Sequence, residues 1–367
     1  MSGLAFETPL GARVVIAGRE RDYFSGTGYL GLHNHPLVME AALQAMQRYG
    51  MSTATSRGGY GEHAVYDELE RQVCAFFDAQ AALYYASGYL GGMILVQGLA
   101  GHFERIFVDE SAHYSLRDAA RASGKPLHFF RHRDPAHLEE SLRLHLAAGE
   151  RPLVLTDGLF PISGEVAPLD AYLPLVQARE GLLGVDDAHG VGVLGENGRG
   201  TAEWLGVSRA EGVQVCATLS KALGGYGGIA FGSRERMGEL ERLARVVVAA
   251  SPPPLPVAAA AAKALEIARN EPQLRRRLWE NVALAREGLR RLGWELPDSP
   301  APILCLRARP GVDLARLRTG LFERDICVAH VTSYSSTPPG GALRVAIFAT
   351  HTREQIERLV DTLAKLL

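Results

Sequence analysis

The chain has almost no cysteine. Cys74, Cys216, Cys305 and Cys327 are the only four in 367 residues, far apart and without a C-x-x-C pair, which excludes a small disulfide framework and argues against a zinc site. They read as buried free thiols. Neither sign of charge is in excess: 39 Lys and Arg stand against 41 Asp and Glu, for a formal net charge of −2, and no block of like charge forms a tail. Nucleic acid and other polyanions are thereby disfavoured as partners. Long apolar runs are missing too. No uninterrupted stretch reaches the roughly 18 residues of a membrane span, and the opening MSGLAFETPLGARVV lacks the basic start and apolar stretch of a signal peptide. A soluble, cytoplasmic protein is expected.

What is present is enough apolar material, 47% of residues, to bury a sizeable core without a metal or disulfide staple. At roughly 150 residues per domain the length suggests two domains. Short apolar runs alternate with helical patterns through the middle of the chain, the sequence form of a mostly parallel sheet covered by helices. Strands are predicted at Ala82–Tyr85, Arg105–Val108, Leu127–Phe130, Leu153–Thr156, Leu182–Val185, Val213–Ala217 and Gly228–Phe231. Sites in such α/β sheets lie at the carboxyl ends of the strands. The proline run from Ser251 to Pro256 cannot continue a helix and marks a boundary. Beyond it, helices are expected at Ala258–Ile267 and Leu274–Leu292, strands around Ile303–Leu306, Cys327–His330 and Leu343–Ile347, and a closing helix from Thr352. That is an α+β appendage.

One motif is a decoy. Gly190-Val-Gly192-Val-Leu-Gly195 fits G-x-G-x-x-G after a strand, but the next residues, Glu-Asn-Gly-Arg-Gly, are turn-rich and cannot open the helix that would hold a pyrophosphate. His128 and His132 are four apart, but Leu127–Phe130 reads as a strand and Pro135 follows, so they would not share a helix face as metal ligands do and read as surface histidines.

Lysine is as scarce as cysteine. Only Lys125, Lys221, Lys263 and Lys365 occur among the 39 basic residues, and arginine cannot lose its proton to become a nucleophilic amine. Lys221 alone sits after a strand and before a glycine cluster, in Thr218-Leu-Ser-Lys221-Ala-Leu-Gly-Gly, where backbone can approach a ligand closely. Asp186-Asp187-Ala-His189-Gly190 places two carboxylates and an imidazole at the end of an apolar strand, a cluster costly to bury without partners. A buried Asp facing a ring nitrogen, beside a Schiff-base lysine, is what pyridoxal phosphate requires. Ala86-Ser87-Gly88-Tyr89 lies between a strand and a helical run, so its N–H groups and the helix dipole suit a phosphate.

Together these residues resemble the α-oxoamine synthase family of fold-type I pyridoxal-phosphate enzymes, which includes 8-amino-7-oxononanoate synthase, 2-amino-3-ketobutyrate ligase, 5-aminolevulinate synthase and serine palmitoyltransferase. The resemblance runs in the family's order from Tyr29-Leu-Gly-Leu32 through Ser87-Gly88-Tyr89, Asp109 with His113, Thr156-Asp-Gly-Leu-Phe160, Asp186-Asp-Ala-His-Gly190, Gly195-Glu-Asn-Gly-Arg-Gly200 and Thr218-Leu-Ser-Lys221 to Leu343-Arg344. It implies an aspartate-aminotransferase-like fold: an N-terminal segment over residues 1–45, a large cofactor-binding domain over 46–251 and a C-terminal α+β domain over 252–367. It implies that Lys221 forms the Schiff base with pyridoxal 5'-phosphate and later acts as base at the substrate Cα. Asp186 would pair with the pyridinium nitrogen, His189 would bond the cofactor's 3-oxygen and His113 would stack on the ring. The Ser87-Gly88-Tyr89 turn and the Thr218 hydroxyl would hold the phosphate, and Arg344 the substrate carboxylate.

The implied reaction joins a small amino acid to an acyl thioester, of coenzyme A or an acyl-carrier protein, with loss of carbon dioxide to give an α-amino ketone. The implied assembly is a homodimer with the site at the subunit interface. Three positions depart from the family pattern: Gly28 where Asn helps to hold the carboxylate, Pro161 where Ser lies near the 3-oxygen, and Ala250 where Thr or Asn reaches the neighbouring subunit's phosphate. They imply weaker phosphate binding and an unusual substrate, and keep open an aminotransferase or other amino-acid enzyme on the same scaffold. A third reading, a non-catalytic subunit that kept only the fold, is disfavoured by the retention of Lys221.

Overall fold

The computed structural model describes residues 5–367, so the first four residues of the expected N-terminal segment lie outside the described residues. The chain opens with a hairpin, β1 (Arg13–Ile16) and β2 (Arg19–Tyr23). Its turn residues Ala17 and Gly18 both have positive φ, 52° and 67°, the geometry that matches the twist of the paired strands. Helices Pro36–Tyr49 and Ala64–Phe77 follow.

Seven strands then build the central sheet: β3 (Ala81–Tyr85), β4 (Arg105–Asp109), β5 (Leu127–Phe130), β6 (Pro152–Asp157), β7 (Leu182–Asp186), β8 (Val213–Thr218) and β9 (Gly228–Gly232). Each coincides with a predicted strand to within a residue or two. The order is β3-β9-β8-β7-β6-β4-β5, with β9 antiparallel to both neighbours and the other pairs parallel. Every residue of β6 and β7 is buried, as expected for parallel strands covered on both faces. On one face Ile94, Leu95, Leu116 and Leu240 pack against Leu83, Ile106, Val108 and Leu155. On the other, Leu138, Leu142, Tyr172 and Val176 pack against Phe107, Phe130, Val154 and Leu183. This α/β arrangement is the expected one.

After β9 the chain reaches the proline segment, which is extended only as far as Pro254. Leu255 and Pro256 already belong to the helix Leu255–Asn270, because a proline in the first turn lacks only an N–H that would have no intrahelical acceptor. The Tyr66 hydroxyl donates to Pro253 O at 2.7 Å and Leu255 N to Met51 O at 3.0 Å, tying the segment down. The largest apolar cluster runs from Tyr66 and Leu69 through Leu265 and Leu278 to Leu304, Val345 and Ile356.

The tail holds β10 (Ile303–Arg307), β11 (Ile326–Cys327), β12 (Ala329–Val331) and β13 (Ala342–Ala346). The single strand expected over Cys327–His330 is therefore two. β11 pairs in parallel with β2 of the N-terminal hairpin, whereas β12 joins the small antiparallel sheet β10-β13-β12. A four-residue apolar run does not reveal that its halves bond to different sheets. The closing helix Arg353–Leu366 is capped by Thr352, whose hydroxyl accepts Gln355 N while the Gln355 side chain accepts Thr352 N, a capping box. Among the described residues no helix is long and apolar enough to cross a membrane.

The hairpin is fixed to this helix by Asp22, which is 3% exposed, accepts Gln355 Nε2 at 2.7 Å and pairs with Arg358. Asp22→Ala removes the shorter of the two bonds from the buried Gln355 amide, leaving only Ala12 O at 3.2 Å, and takes away the partner of Arg358. It should lower the unfolding free energy by about 2 kcal/mol, measured by urea denaturation; an unchanged midpoint would show that the hairpin adds nothing to global stability.

Candidate active site

The parallel strands deliver chemistry at one edge. β4 ends in Asp109, β6 in Asp157, β7 in Asp186 and β8 in Thr218. Asp157 and Asp186 are register partners. Lys221 follows β8 by three residues, and Ser87, Gly88 and Tyr89 leave β3 for the helix Gly91–Gly98. Ser87, Gly88, Tyr89, His113, Asp186, His189, Thr218 and Lys221 all line one cavity of about 160 Å³, with Asp157, Ser115 and Ser220 beside them. Wider grooves exist, one of about 620 Å³ along Phe77, Arg209 and Phe231, but that one lies at the opposite sheet edge and its charges pair among themselves, Arg209 with Asp78 and Arg236 with Glu239. Among the described residues no group of three or more His, Cys, Asp or Glu is placed to hold a metal ion.

The cavity is short of positive charge. Burial pushes the Asp186 and Asp157 carboxyls up, Asp157 further through its neighbour Asp186. Burial pushes His113 and His189 down, so both imidazoles are neutral. Lys221 is the one remaining cation in the lining, and burial brings it down to about 8 against the opposing pull of Asp186 and Asp157. Among the described residues it has no hydrogen-bond or ion-pair partner. Two buried carboxylates thus face one amine, and the amine is free to react.

Next to the amine, a chain of side chains fixes His189. Arg344 on β13 donates through Nε to Pro161 O at 2.7 Å, through one Nη to Gly26 O at 3.0 Å and through the other to Tyr29 Oη at 3.1 Å. Tyr29 Oη lies 2.8 Å from His189 Nδ1. Burial keeps the Tyr29 phenol above its ordinary range and protonated, so it donates to Nδ1 and His189 carries its proton on Nε2. Three of the five guanidinium N–H groups are used, leaving two for a ligand. Arg344 is the predicted site residue outside the cavity lining, joined to it through Tyr29.

The two aspartates of the Asp-Asp-Ala-His run have different tasks. Asp186 accepts Ala188 N at 3.1 Å and turns into the cavity. Asp187 turns away and accepts the Thr201 N–H at 2.6 Å and the Thr201 hydroxyl at 2.7 Å, clamping the loop that joins them. A Cβ on Gly190 would lie 2.1 Å from Asp187 Oδ1, so the glycine there answers to the clamp. The G-x-G-x-x-G match is part of this loop, and no helix begins until Thr201, consistent with its rejection as a nucleotide site.

Gly88 is a cradle of another kind: a Cβ there would sit 2.7 Å from Thr218 Cβ. The Thr218 hydroxyl donates to Gly227 O at 2.9 Å and accepts Ser220 N at 3.2 Å. Of the three departures, Gly28 is closed over by His33, whose Cε1 would lie 2.6 Å from a Cβ. At Pro161 it is the backbone carbonyl that works, as the Arg344 acceptor. Ala250 is half-buried and brings no polar side-chain atom.

Sequence reading passed over Asp157, Ser115 and the bridging role of Tyr29. Asp157 had a signal, a carboxylate ending a mostly apolar run much as Asp186 does, but nothing in one sequence says that β6 and β7 are neighbours. His132 is a correction. It is not a surface histidine: its Nδ1 lies 2.9 Å from Asp109 and its Nε2 3.6 Å from Glu165. Despite burial, the bonds to Asp109 and Glu165 bring it up to about 9, and Glu165 falls to about 2, chiefly through His132.

Known proteins resemble the chain over almost its whole length. The aminotransferase class I and II family matches residues 25–363. The 8-amino-7-oxononanoate synthase of Methylococcus capsulatus is 36% identical over 358 residues, covering 98% of this chain and 92% of its own. That of Coprothermobacter proteolyticus is 33% identical, covering 96% and 90%. The solved structure of Sphingomonas wittichii serine palmitoyltransferase superposes with a TM-score of 0.91 at 27% identity, covering 99% and 91%. The chain belongs to the aminotransferase class I and II family. Within that family it is an α-oxoamine synthase, of the kind represented by the 8-amino-7-oxononanoate synthases.

The His132 pair makes stability depend on pH in a defined window. With its folded value raised from 6.5 to about 9, His132 contributes fully below pH 6.5 and loses its contribution as pH rises through 9. Glu165, depressed, acts oppositely and loses its contribution only as pH falls toward 2. Unfolding free energy measured from pH 6 to pH 10 should fall by roughly 2–4 kcal/mol in wild type beyond the fall in His132→Gln. Parallel curves would place the His132 proton elsewhere.

Proposed function

We propose that the protein binds pyridoxal 5'-phosphate on Lys221 and condenses a small amino acid with an acyl thioester. In the proposed reaction the amino-acid Cα bonds to the acyl carbon as the C–S bond breaks and the thiol leaves. The bond to the carboxylate then breaks, releasing carbon dioxide and an α-amino ketone. The observation that carries this reading is the partnerless amine of Lys221, lowered to about 8 beside two buried carboxylates. A protonated pyridine nitrogen beside Asp186 would draw that buried carboxyl back toward its ionised form.

When bound, the cofactor supplies an electron sink for negative charge at Cα. The chain's own groups do the rest. Lys221, roughly a tenth uncharged at pH 7, is the nucleophile that holds the cofactor and, once displaced by the amino acid, the base that takes the Cα proton. Asp186 would keep the ring nitrogen protonated. His189 would offer Nε2–H to the ring's 3-oxygen, with its tautomer set by Tyr29. His113 would lie against the ring face. The N–H groups at Gly88 and Tyr89, at a helix start, hold the phosphate with Thr218. Arg344 turns its two unused N–H groups to the substrate carboxylate.

The same reading makes the protein a homodimer. Met39, Leu43 and Met46 are 42–52% exposed on one face of the helix Pro36–Tyr49, with Met51 and the fully exposed Tyr60 beyond its end. An apolar face of this kind is better covered than hydrated, and a second copy of the chain is the occupant that the family resemblance implies.

Lys221→Ala should abolish turnover and the covalently attached visible chromophore; a reducible lysine adduct persisting in that variant would refute the assignment. Arg344→Ala should raise the amino-acid Kd tenfold or more, in line with about 2 kcal/mol for a charge-assisted bidentate pair, read by spectral titration. The deciding assay is carbon dioxide release: it should require both an amino acid and an acyl thioester. Transamination without a thioester would favour an aminotransferase instead.

A further inference from the structure

His113 is pinned at both ring nitrogens, and one pin comes from the C-terminal part of the chain. As the cap of the helix Tyr114–Ala122, its Nδ1 accepts Ser115 N at 3.2 Å. The Ser115 hydroxyl lies 2.7 Å from the same nitrogen; with Nδ1 taken up as the acceptor of the helix cap, the ring proton sits on Nε2, which donates to Tyr334 Oη at 2.6 Å. Tyr334 stands in the loop between β12 and β13, more than two hundred residues away. That loop is held in shape by Thr337, whose N–H donates to Tyr334 O at 2.8 Å and whose hydroxyl accepts Tyr334 N at 3.0 Å. It is held to the large sheet's loops by Ser335, whose hydroxyl donates to Ser111 O at 2.9 Å. The Tyr334 ring meets Tyr114 edge-on at 5.4 Å, so the phenol is braced from the side as well. Having accepted from His113, Tyr334 keeps its own O–H, which has no acceptor among the described residues.

We propose that Tyr334 is a positioning residue for His113: by accepting Nε2–H it fixes the imidazole plane against the cofactor ring, and it does so only while the β12–β13 loop lies over the site. The inference rests on the reading of His113 as the group that lies on the ring. It explains why the imidazole needs a second anchor: without Tyr334 the ring is held at Nδ1 alone, by the backbone and hydroxyl of one residue, Ser115, and its far edge is free to swing.

The test is Tyr334→Phe, which keeps the ring and removes the acceptor, with Ser335→Ala as a second variant that loosens the loop but leaves the phenol. In the cofactor-free protein the His113 Nε2–H signal in nitrogen-15 NMR, assigned by its loss in His113→Asn, should exchange with solvent at least tenfold faster in Tyr334→Phe and about threefold faster in Ser335→Ala. In the loaded enzyme kcat should fall about tenfold in Tyr334→Phe, with KM for the amino acid within twofold. Unchanged exchange with unchanged kcat would overturn the proposal. So would a rise in KM at constant kcat, which would make Tyr334 a substrate-binding group. A wild-type protein without cofactor-dependent turnover would instead refute the functional reading, and the exchange rates would still decide the Tyr334–His113 contact.

Discussion

Two carboxylates buried at the ends of adjacent strands, with a single amine to answer them, set the terms for the rest of this molecule. An isolated buried carboxylate is expensive, and Asp157 and Asp186 are brought together by register pairing of β6 and β7, so neither can move away without breaking the sheet. The surrounding structure provides every neutral donor it can: Ala188 N to Asp186 and His113 N to Asp157 at 2.7 Å. What remains is a demand for a cation in the cavity. Lys221, half-buried and without a hydrogen-bond partner among the described residues, meets part of that demand, and burial makes it easier to deprotonate than an exposed lysine. In the proposed function a positively charged ring nitrogen would meet the remainder, so that the cost of assembling the site would favour the cofactor.

The C-terminal strands do more than cover the sheet. Arg344 lies on β13, yet its three engaged N–H groups reach Pro161 after β6, Gly26 in the opening segment and Tyr29. One guanidinium therefore joins three stretches of chain and, through Tyr29, decides which nitrogen of His189 carries a proton. In the proposed function a substrate carboxylate at Arg344 would draw on the same group that orients His189, so that substrate binding and cofactor polarisation would share one chain of hydrogen bonds. The Arg344, Tyr29 and His189 side chains are all buried, which keeps these bonds in a medium where they are strong.

Much of this was legible beforehand. The seven central strands stood out because parallel strands buried on both faces are apolar throughout, and because the chemistry sits where each run meets its first polar residue. Lys221 stood out through the scarcity of lysine, Asp186 and His189 through their position after an apolar strand. Residues whose meaning depends on a neighbour far away in sequence did not. Asp157 matters because β6 lies beside β7, His132 because Asp109 and Glu165 converge on it, and Tyr334 because a loop from the small sheet folds back over His113. The split of residues 326–331 between two sheets belongs to the same class. Local pattern reports which face a residue prefers, and says nothing of which partner occupies that face. The N-terminal hairpin escaped for another reason: Arg19–Tyr23 is charged, and its buried Asp22 is satisfied by side chains more than three hundred residues away.

The consecutive aspartates at the end of β7 carry a further implication. Side chains on a strand alternate between faces, so Asp186 and Asp187 look in opposite directions and only their order along the chain tells the cavity carboxyl, the proposed cofactor counter-charge, from the loop clamp. Chemically the two are interchangeable. A slip of one position in the pairing of β7 with β6 and β8 would set the clamp's carboxylate in the cavity and turn the counter-charge toward Thr201, inverting both roles without altering a single residue. The buried run Leu182–Val185 and its two hydrogen-bonded neighbours are therefore what reads the Asp-Asp pair in the correct frame, and any insertion or deletion within β7 amounts to a frameshift of function at constant composition.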